Sequence, residues 1–208
     1  MMNYLQKKKK AMLNYVSGGG LPSEYQECEY IESDGQQYID SGTPLGFDYG
    51  FDVKFYNKSR VASSNYGAIF GCRTPYYELS SYVLGGTLRW GVFSRSATPY
   101  MLQNSVQECS LHNGVFTDCN GNETTLTKVA DDTTRNCYLF GWNDAGTFAQ
   151  GGSGCRIYYL KLYYQNDMIR NFIPCYHKTS GEIGMYDTVT KQFYTNAGSG
   201  TFTKGNDV

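Results

Sequence analysis

The chain has 208 residues, enough for one sizeable domain and an appendage. Only 18% of the residues are charged and the formal net charge is −1, so no global field favours nucleic acid as a partner. The sequence has no run of about 20 apolar residues, the length that spans a bilayer, and we therefore expect no membrane insertion.

The first predicted element is a short basic anchor helix over residues 1–16. Its apolar residues recur at helical spacing, and most of its residues favour helix. A helix this short is marginal alone, so we expect it to dock on another protein or on copies of itself; the alternative is a solvated, frayed tail. The docking residues would be Leu5, Lys7, Lys8, Lys9, Lys10, Met12 and Val16. A flexible glycine-rich linker follows over residues 17–23.

A series of short strands is predicted over residues 24–208, where tyrosine and glycine are abundant. In chain order, the segments with strand patterns are 28–33, 36–42, 49–57, 67–72, 82–93, 106–127, 137–142, 155–175 and 184–202. Hairpin turns are predicted at Asp34-Gly35, Gly85-Gly86, Asn113-Gly114, Asn120-Gly121 and Thr190-Lys191. The pattern predicts an all-β, two-sheet antiparallel sandwich of jelly-roll type.

The seven cysteines indicate thiols rather than disulfides. Their number is odd, no two form a CxxC pair, and no signal peptide is visible. We therefore expect reduced cysteines in a protein made in a reducing cytoplasm. The same spacing argues against a zinc site.

Two motifs near the ends of the predicted β-region carry a family resemblance. They are "CEYIESDGQQYIDSG" at the front and "RNFIPCYHKTSGEIGMYDTVTKQFYTNAGSGTF" at the back, and "HNGVFTD" is a further match. They resemble the laminin-G-like, concanavalin A-like lectin/glucanase domain of the type found in phage structural proteins and in gut-bacterial surface proteins. The resemblance implies that the first and last strands are neighbours.

This resemblance implies a phage virion surface protein, a head or tail fibre or a decoration subunit. The N-terminal segment would anchor it to capsid or tail proteins, and the sandwich would bind glycan on the host. We expect a homo-oligomer, synthesised in the host cytoplasm without a signal peptide and displayed on the virion. The alternatives are a purely structural decoration module, a bacterial surface adhesin and an inactive glycosidase-like domain.

Glycan binding requires exposed aromatic rings beside polar groups. Trp142 in "GWNDAG", followed by Asn143 and Asp144, is the first candidate. Weaker candidates are Arg89, Trp90, Tyr76 and Tyr77. A tryptophan within a strand is more often a core residue, so each candidate has a purely structural alternative.

Metal binding and catalysis have less support. Asp131, Asp132 and Asp144 on predicted loops are candidate ligands for calcium, the one cofactor that the sequence suggests. Oxygen ligands also occur in "DCNGNE", but its Asn120-Gly121 pair is already explained by a turn. The Glu-x-Asp-x-x-Glu strand of related glucanases is missing, so we expect no enzymatic activity and no catalytic residues.

Overall fold

The structure is a computed structural model that describes residues 20–58, 67–73, 77–84, 87–93, 102, 104–127, 134–149, 151 and 154–208. Within these residues the protein is all-β, as predicted, with 18 strands and no helix. The predicted anchor helix and most of the linker lie outside this part of the chain. No helix long and apolar enough to cross a bilayer occurs among the described residues.

The strands are short, with a few longer ones in the middle and towards the C-terminus. They are β1 (Tyr25–Glu27), β2 (Ile31–Ser33), β3 (Ile39–Pro44), β4 (Tyr49–Tyr56), β5 (Gly67–Arg73), β6 (Tyr77–Leu84), β7 (Thr87–Val92), β8 (Val106–His112), β9 (Val115–Thr117), β10 (Glu123–Thr125), β11 (Asn136–Leu139), β12 (Trp142–Asp144), β13 (Thr147–Ala149), β14 (Cys155–Tyr164), β15 (Asp167–His177), β16 (Ile183–Asp187), β17 (Gln192–Thr195) and β18 (Thr203–Lys204).

The strands form two sheets in a sandwich-like arrangement. The larger sheet has 11 strands in the order β10-β9-β8-β4-β14-β15-β16-β17, with β1 beside β15, and β2 beside both β14 and β18. The smaller sheet has seven, in the order β13-β12-β5-β11-β3, with β6 beside β5 and β7 beside β6. The strand pairs are antiparallel except β12–β5, which is parallel and corrects the expectation of a wholly antiparallel sandwich. The jelly-roll connectivity stays a prediction.

Strand β4 shows why these sequences form a sandwich. Phe51, Val53 and Phe55 are fully buried, whereas the alternate residues Asp52 and Lys54 are half-buried on the solvent side. Burial of one such apolar side chain contributes about 1.5–3 kcal/mol. Phe51 meets Phe70 of the smaller sheet edge-to-face, with 5.0 Å between the ring centroids. The core therefore lies between the two sheets.

The strand of the front motif, β2, and the last strand, β18, are neighbours, whereas β1 pairs with β15. Strand β18 pairs with β2 in the larger sheet. Beyond it, the backbone N–H of Glu29 donates to Asn206 O at 2.9 Å, and the N–H of Val208 donates to Glu27 O at 3.1 Å. The two recognisable ends of the β-region thus meet in one part of the larger sheet.

The predicted hairpin at Asp34-Gly35 is wrong. Strand β2 pairs with β14 and β18, whereas β3 pairs with β11 in the other sheet. The turn is real: Gly35 has a φ of 106°, and Asp34 Oδ1 accepts the N–H of Gln36 at 3.1 Å. It carries the chain from one sheet to the other, because a turn signal does not specify the partner of the next strand.

The apolar segment 155–175 is a hairpin of two strands. It turns at Gln165 and Asn166, whose φ values are 47° and 74°. The first of these strands does not alternate strictly, because a bulge shifts the register between Ile157 and Tyr159. The bulge places Tyr158 and Tyr159 together on the solvent side, while the flanking apolar residues stay in the core.

Three other predicted turns are confirmed. Asn113-Gly114 joins β8 to β9, with φ values of 53° and 72°. Asn120-Gly121 lies between the paired strands β9 and β10, and Asp118 closes that turn by accepting the N–H groups of Asn120 and Asn122, both at 2.9 Å. The turn before β17 includes Lys191 at a φ of 59°. The strands flanking Gly85-Gly86 also pair as a hairpin, although the turn itself lies outside the described residues.

Candidate ligand-binding face

The solvent side of the larger sheet carries a group of half-buried tyrosines beside basic side chains. We call it the tyrosine face. Its members are Tyr30, Tyr56, Tyr158, Tyr159, Tyr163, Lys54, Arg156 and Lys161. They lie on β4, on β14 and just before β2, and they point outward because the alternate residues of β4 and β14 fill the core.

Strand register fixes which side chains are neighbours on this face. Arg156 of β14 lies between Tyr56 of β4 and Glu32 of β2. Further along, Lys161 pairs with Asp52 of β4 on one side and with Asn171 of β15 on the other. Cross-strand neighbours of this kind are close enough for their side chains to interact.

Arg156 is held between two tyrosine rings at one end of the face. Its guanidinium carbon lies 4.6 Å from the ring centroid of Tyr30 and 5.0 Å from that of Tyr56. Its Nε donates to Glu32 Oε2 at 2.6 Å. Burial opposes the charged form, but the hydrogen bond and the charge of Glu32, together with the neighbouring tyrosines, outweigh it and raise the pKa of Arg156. The guanidinium therefore stays charged and holds both rings in position.

Lys54 bridges this end of the face to the next strand. Its Nζ lies 3.7 Å from Glu108 of β8 and 5.5 Å from the ring centroid of Tyr158. The ring of Tyr158 in turn lies 5.2 Å from that of Tyr30. The aromatic surface is therefore continuous from Tyr30, just before β2, to Tyr158 on β14. At its edge, the charge of Lys54 is balanced by Glu108.

Asp52 is the centre of a hydrogen-bond network at the other end. His112 Nε2 donates to Asp52 Oδ1, and the Tyr163 hydroxyl donates to Asp52 Oδ2, both at 2.7 Å. The imidazole and the Tyr163 ring meet edge-on at 4.9 Å. Burial favours the neutral carboxyl, but the bonds from His112 and Tyr163 dominate and lower the pKa of Asp52.

Gly50 makes room for this network. A Cβ on Gly50 would lie 2.5 Å from Leu111 O and 3.5 Å from His112 Nδ1. The absence of a side chain lets the imidazole and the Tyr163 ring close over the backbone of β4. Glycine is thus required here by a close approach and not by a positive φ.

The tyrosines of the face retain their hydroxyl protons, and the proton of Tyr163 is already donated to Asp52. Burial raises the pKa values of Tyr158, Tyr159 and Tyr163, and the Asp52 carboxylate adds to the effect at Tyr163. All three stay protonated near neutral pH. The face therefore combines flat aromatic surfaces with hydroxyl donors, fixed cations and a carboxylate.

The residues predicted to bind sugar lie elsewhere. Trp142 on β12 is fully buried, which corrects the expectation of an exposed stacking ring; the guanidinium of Arg73 lies 5.7 Å from its centroid. Asn143 is buried too, with Nδ2 donating to Asn136 O and Oδ1 accepting the N–H of Gly146. The two side-chain hydrogen bonds of Asn143 therefore stabilise the β12–β13 hairpin.

The weaker sugar-binding candidates also belong to the smaller sheet or fall outside the described part. Tyr77 is buried in the core, where its ring meets Phe93 edge-on at 5.3 Å, which corrects the expectation of an exposed ring. Tyr76 lies outside the described residues. Only the backbone of Arg89 and Trp90 is described, in β7 opposite β6, so their ligand role stays a prediction.

The predicted calcium site is not assembled by the part of the chain that the structure describes. Asp131 and Asp132 lie outside it. Asp144 forms an ion pair with Arg73 Nη1 at 3.3 Å, so its charge is already engaged. No group of three or more His, Cys, Asp or Glu side chains with metal-binding geometry occurs among the described residues.

The sequence did not reveal the tyrosine face. Period-2 patterns on β4, β8 and β14 indicate which residues point outward, but not which strands are neighbours. His112 and Tyr163 are 60 and 111 residues from Asp52, and only the strand order β8-β4-β14 brings them together. The clustering of tyrosines in "RIYYLKLYY" is the one local signal of an aromatic face.

Comparison with known proteins adds no relative to this picture. No family model, no curated protein and no solved structure matches the chain. The resemblance to laminin-G-like and concanavalin A-like domains therefore stays a prediction from the two end motifs, and the class that the structure itself defines is an all-β, sandwich-like protein.

Proposed function

We propose that this protein is a non-enzymatic carbohydrate-binding module of a phage virion surface, a head or tail fibre or decoration subunit. The tyrosine face is the observation that carries the proposal. Sugar rings stack their apolar sides on aromatic rings, and their hydroxyls need donors and acceptors around the rim. Tyrosine rings, phenolic hydroxyls, an arginine and a carboxylate provide both on one sheet.

The geometry of the face favours binding because its rings are already ordered. Arg156 holds Tyr30 and Tyr56, and Asp52 holds Tyr163. A ligand that meets fixed side chains does not have to immobilise them, a cost of about 0.5–1.5 kcal/mol for each rotamer-rich side chain. An affinity too weak for one copy would be amplified by the several copies on a particle.

The virion assignment is supported by the sequence. The end motifs are similar to those of phage structural proteins, and the basic segment 1–16 followed by a glycine-rich linker suits a tether to capsid or tail proteins. In this arrangement the N-terminal segment anchors the subunit, and the sandwich presents its tyrosine face to the host.

A glycan array probed with the full-length protein, multimerised on beads, tests the binding function. We expect binding to at least one host glycan and a loss of at least tenfold in Tyr158→Ala. Tyr176→Ala is the matched control. Its ring also lies near an ammonium group, with Lys204 Nζ 4.8 Å from the ring centroid, but its hydroxyl donates to Asp207 in the C-terminal segment. An array without any bound glycan would refute the binding function.

Two further measurements test the rest of the proposal. A variant lacking residues 1–20 should keep its glycan binding and fail to join the particle; incorporation of this variant would refute the anchor. Purified protein should release no reducing sugar from β-glucans, and activity that disappears in Asp52→Asn would show that the module is an enzyme.

A further inference from the structure

Among the described residues, Lys161 is the cation of the tyrosine face that forms no ion pair with a carboxylate. Arg156 pairs with Glu32 at 2.6 Å and Lys54 with Glu108 at 3.7 Å. The cross-strand neighbour of Lys161 is Asp52, which attracts the ammonium group at longer range, while its two oxygens accept hydrogen bonds from His112 and Tyr163. The ammonium group instead lies 5.7 Å from the ring centroid of Tyr159.

The surroundings of Lys161 are those of a small binding site. Tyr159 and Tyr163 flank it on the same side of β14, each about 6–7 Å along the strand. Asn171 lies beside it on β15, with Nδ2 donating to Thr188 Oγ1 at 2.7 Å. Asn171 is partly exposed, and its amide oxygen, which accepts no hydrogen bond from the described residues, has the chemistry to accept one from a sugar hydroxyl.

We propose that the tyrosine face selects a sugar that bears a carboxylate, a hexuronic acid unit of a host polysaccharide, and that Lys161 binds the carboxylate. This inference rests on the proposed function and specifies its ligand. The uronate ring stacks on the flanking tyrosines, its carboxylate accepts a charge-assisted hydrogen bond from the ammonium group, and a hydroxyl donates to Asn171.

Charge complementarity selects this ligand over a neutral sugar. A hydrogen bond to a charged group contributes about 1.5–3 kcal/mol, which corresponds to roughly 10–100-fold in affinity. A neutral sugar hydroxyl can also accept a hydrogen bond from the ammonium group, but it adds no attraction between opposite charges. The tyrosines serve both kinds of sugar, so the anionic one gains more from Lys161.

Calorimetric titration of the full-length protein with matched oligosaccharides tests the inference. The probes are oligomers of polygalacturonate, polymannuronate and polyglucuronate, each compared with its carboxyl-reduced neutral form. We expect at least one acidic oligomer to bind at least tenfold more tightly than its reduced form. Lys161→Met should abolish this preference, whereas Lys178→Met, a control at an exposed lysine outside the tyrosine face, should keep it.

The outcomes separate the inference from the proposed function. If neutral oligosaccharides bind as tightly as acidic ones, or if Lys161→Met keeps the preference, the inference falls and the binding function stands. Tighter binding of a sulfated neutral oligosaccharide than of every uronate would overturn the carboxylate assignment. If no glycan on the array or in these titrations binds, both fall. Unchanged thermal unfolding midpoints would show that the variants are folded.

Discussion

Asp52 is the residue at which three strands of the tyrosine face converge. It lies on β4 and accepts hydrogen bonds from His112 of β8 and Tyr163 of β14. These bonds lower its pKa, so the ionised form is more stable in the folded protein than in the unfolded chain. The Asp52 carboxylate is therefore part of the proposed ligand-binding surface and also contributes to the stability of the larger sheet.

This linkage has a defined pH dependence. Because the folded-state pKa of Asp52 is lowered, its contribution to stability is present above the unfolded-state pKa of about 4 and is lost as the pH falls through the folded-state value. Tyr163→Phe should lower the free energy of unfolding by about 1–2 kcal/mol at pH 7. The difference from wild type should shrink below about pH 4.

Urea unfolding at a series of pH values measures this difference. Tyr56→Phe is the control, since its ring lies beneath Arg156 and its hydroxyl makes no hydrogen bond within the described part. The control should show a small and pH-independent change. A Tyr163→Phe difference that stays constant between pH 7 and pH 3 would contradict the role assigned to Asp52.

Cysteine reactivity is a second property of single residues. No disulfide joins the seven cysteines, in agreement with the sequence prediction, and six of them are buried. Burial raises the pKa of Cys28, Cys72 and Cys175 to about 12 each, so their reactive thiolate forms are rare near neutral pH. Cys119, in the turn after β9, is the one with intermediate exposure.

We therefore expect iodoacetamide at pH 8 to modify one thiol of the native protein before the others. Mass spectrometry should identify Cys119 as the modified residue, and Cys119→Ser should remove the early phase. The remaining cysteines should react only in denaturant. Early modification of Cys28 or Cys175 in the native protein would show that the larger sheet opens near its terminal strands.

At the scale of elements, β14 determines the character of the tyrosine face. Its bulge between Ile157 and Tyr159 keeps the following leucines in the core and turns Tyr158 and Tyr159 to the same side. Without the bulge, the strict alternation would send one of these tyrosines inward. The extra residue of the bulge thus places two tyrosines, instead of one, on the solvent side of β14 at this position.

Strand β4 depends on Gly50 in a comparable way. Gly50→Ala would place a Cβ 2.5 Å from the backbone oxygen of Leu111 and force β4 and β8 apart. We expect a loss of about 1–3 kcal/mol in the free energy of unfolding, the usual cost of overpacking. Glycan binding should weaken too, because the rings of His112 and Tyr163 meet above this position.

The matched control is Gly20→Ala, since a Cβ on Gly20 would meet nothing within 4 Å. Chemical denaturation of both variants gives the comparison, and the control should stay within about 0.5 kcal/mol of wild type. Equal stabilities of the two variants would contradict the close approach of β4 and β8.

Elements were predictable from the sequence where one local pattern determined them. The alternation of Phe51, Val53 and Phe55 predicted β4, and Asn113-Gly114 predicted the β8–β9 turn. The crossover at Asp34-Gly35 was missed, because a turn residue sets the backbone direction and not the sheet that the next strand joins. The tyrosine face was also missed, because it depends on pairing between strands that are distant in the sequence, and no local pattern specifies that pairing.

At the scale of the whole molecule, the C-terminal segment completes the sandwich. Phe202 is 2% exposed, and its ring lies 5.0 Å from that of Phe140, which follows β11 of the smaller sheet. Immediately afterwards, β18 joins β2 in the larger sheet. The last residues of the chain therefore contact both sheets and contribute to the core.

Phe202→Ala should for this reason lower the free energy of unfolding by about 3–5 kcal/mol, as expected for a buried aromatic side chain. Val208→Ala, at a position 73% exposed, is the control and should be nearly neutral. Calorimetric unfolding of the two variants provides the measurement. A small effect of Phe202→Ala would mean that the segment lies on the sandwich without being part of it.

The pairing of β2 with β18 brings the two ends of the β-region together in the larger sheet. Val208 hydrogen-bonds with Gln26 and Glu27, so a short glycine-serine linker can join the C-terminus to the residues before β1. A circular permutant reopened in the exposed turn 178–182, between β15 and β16, should fold with native-like circular dichroism and thermal stability. Because the new termini would lie at that turn, the protein could be fused to a carrier with its tyrosine face in a different orientation.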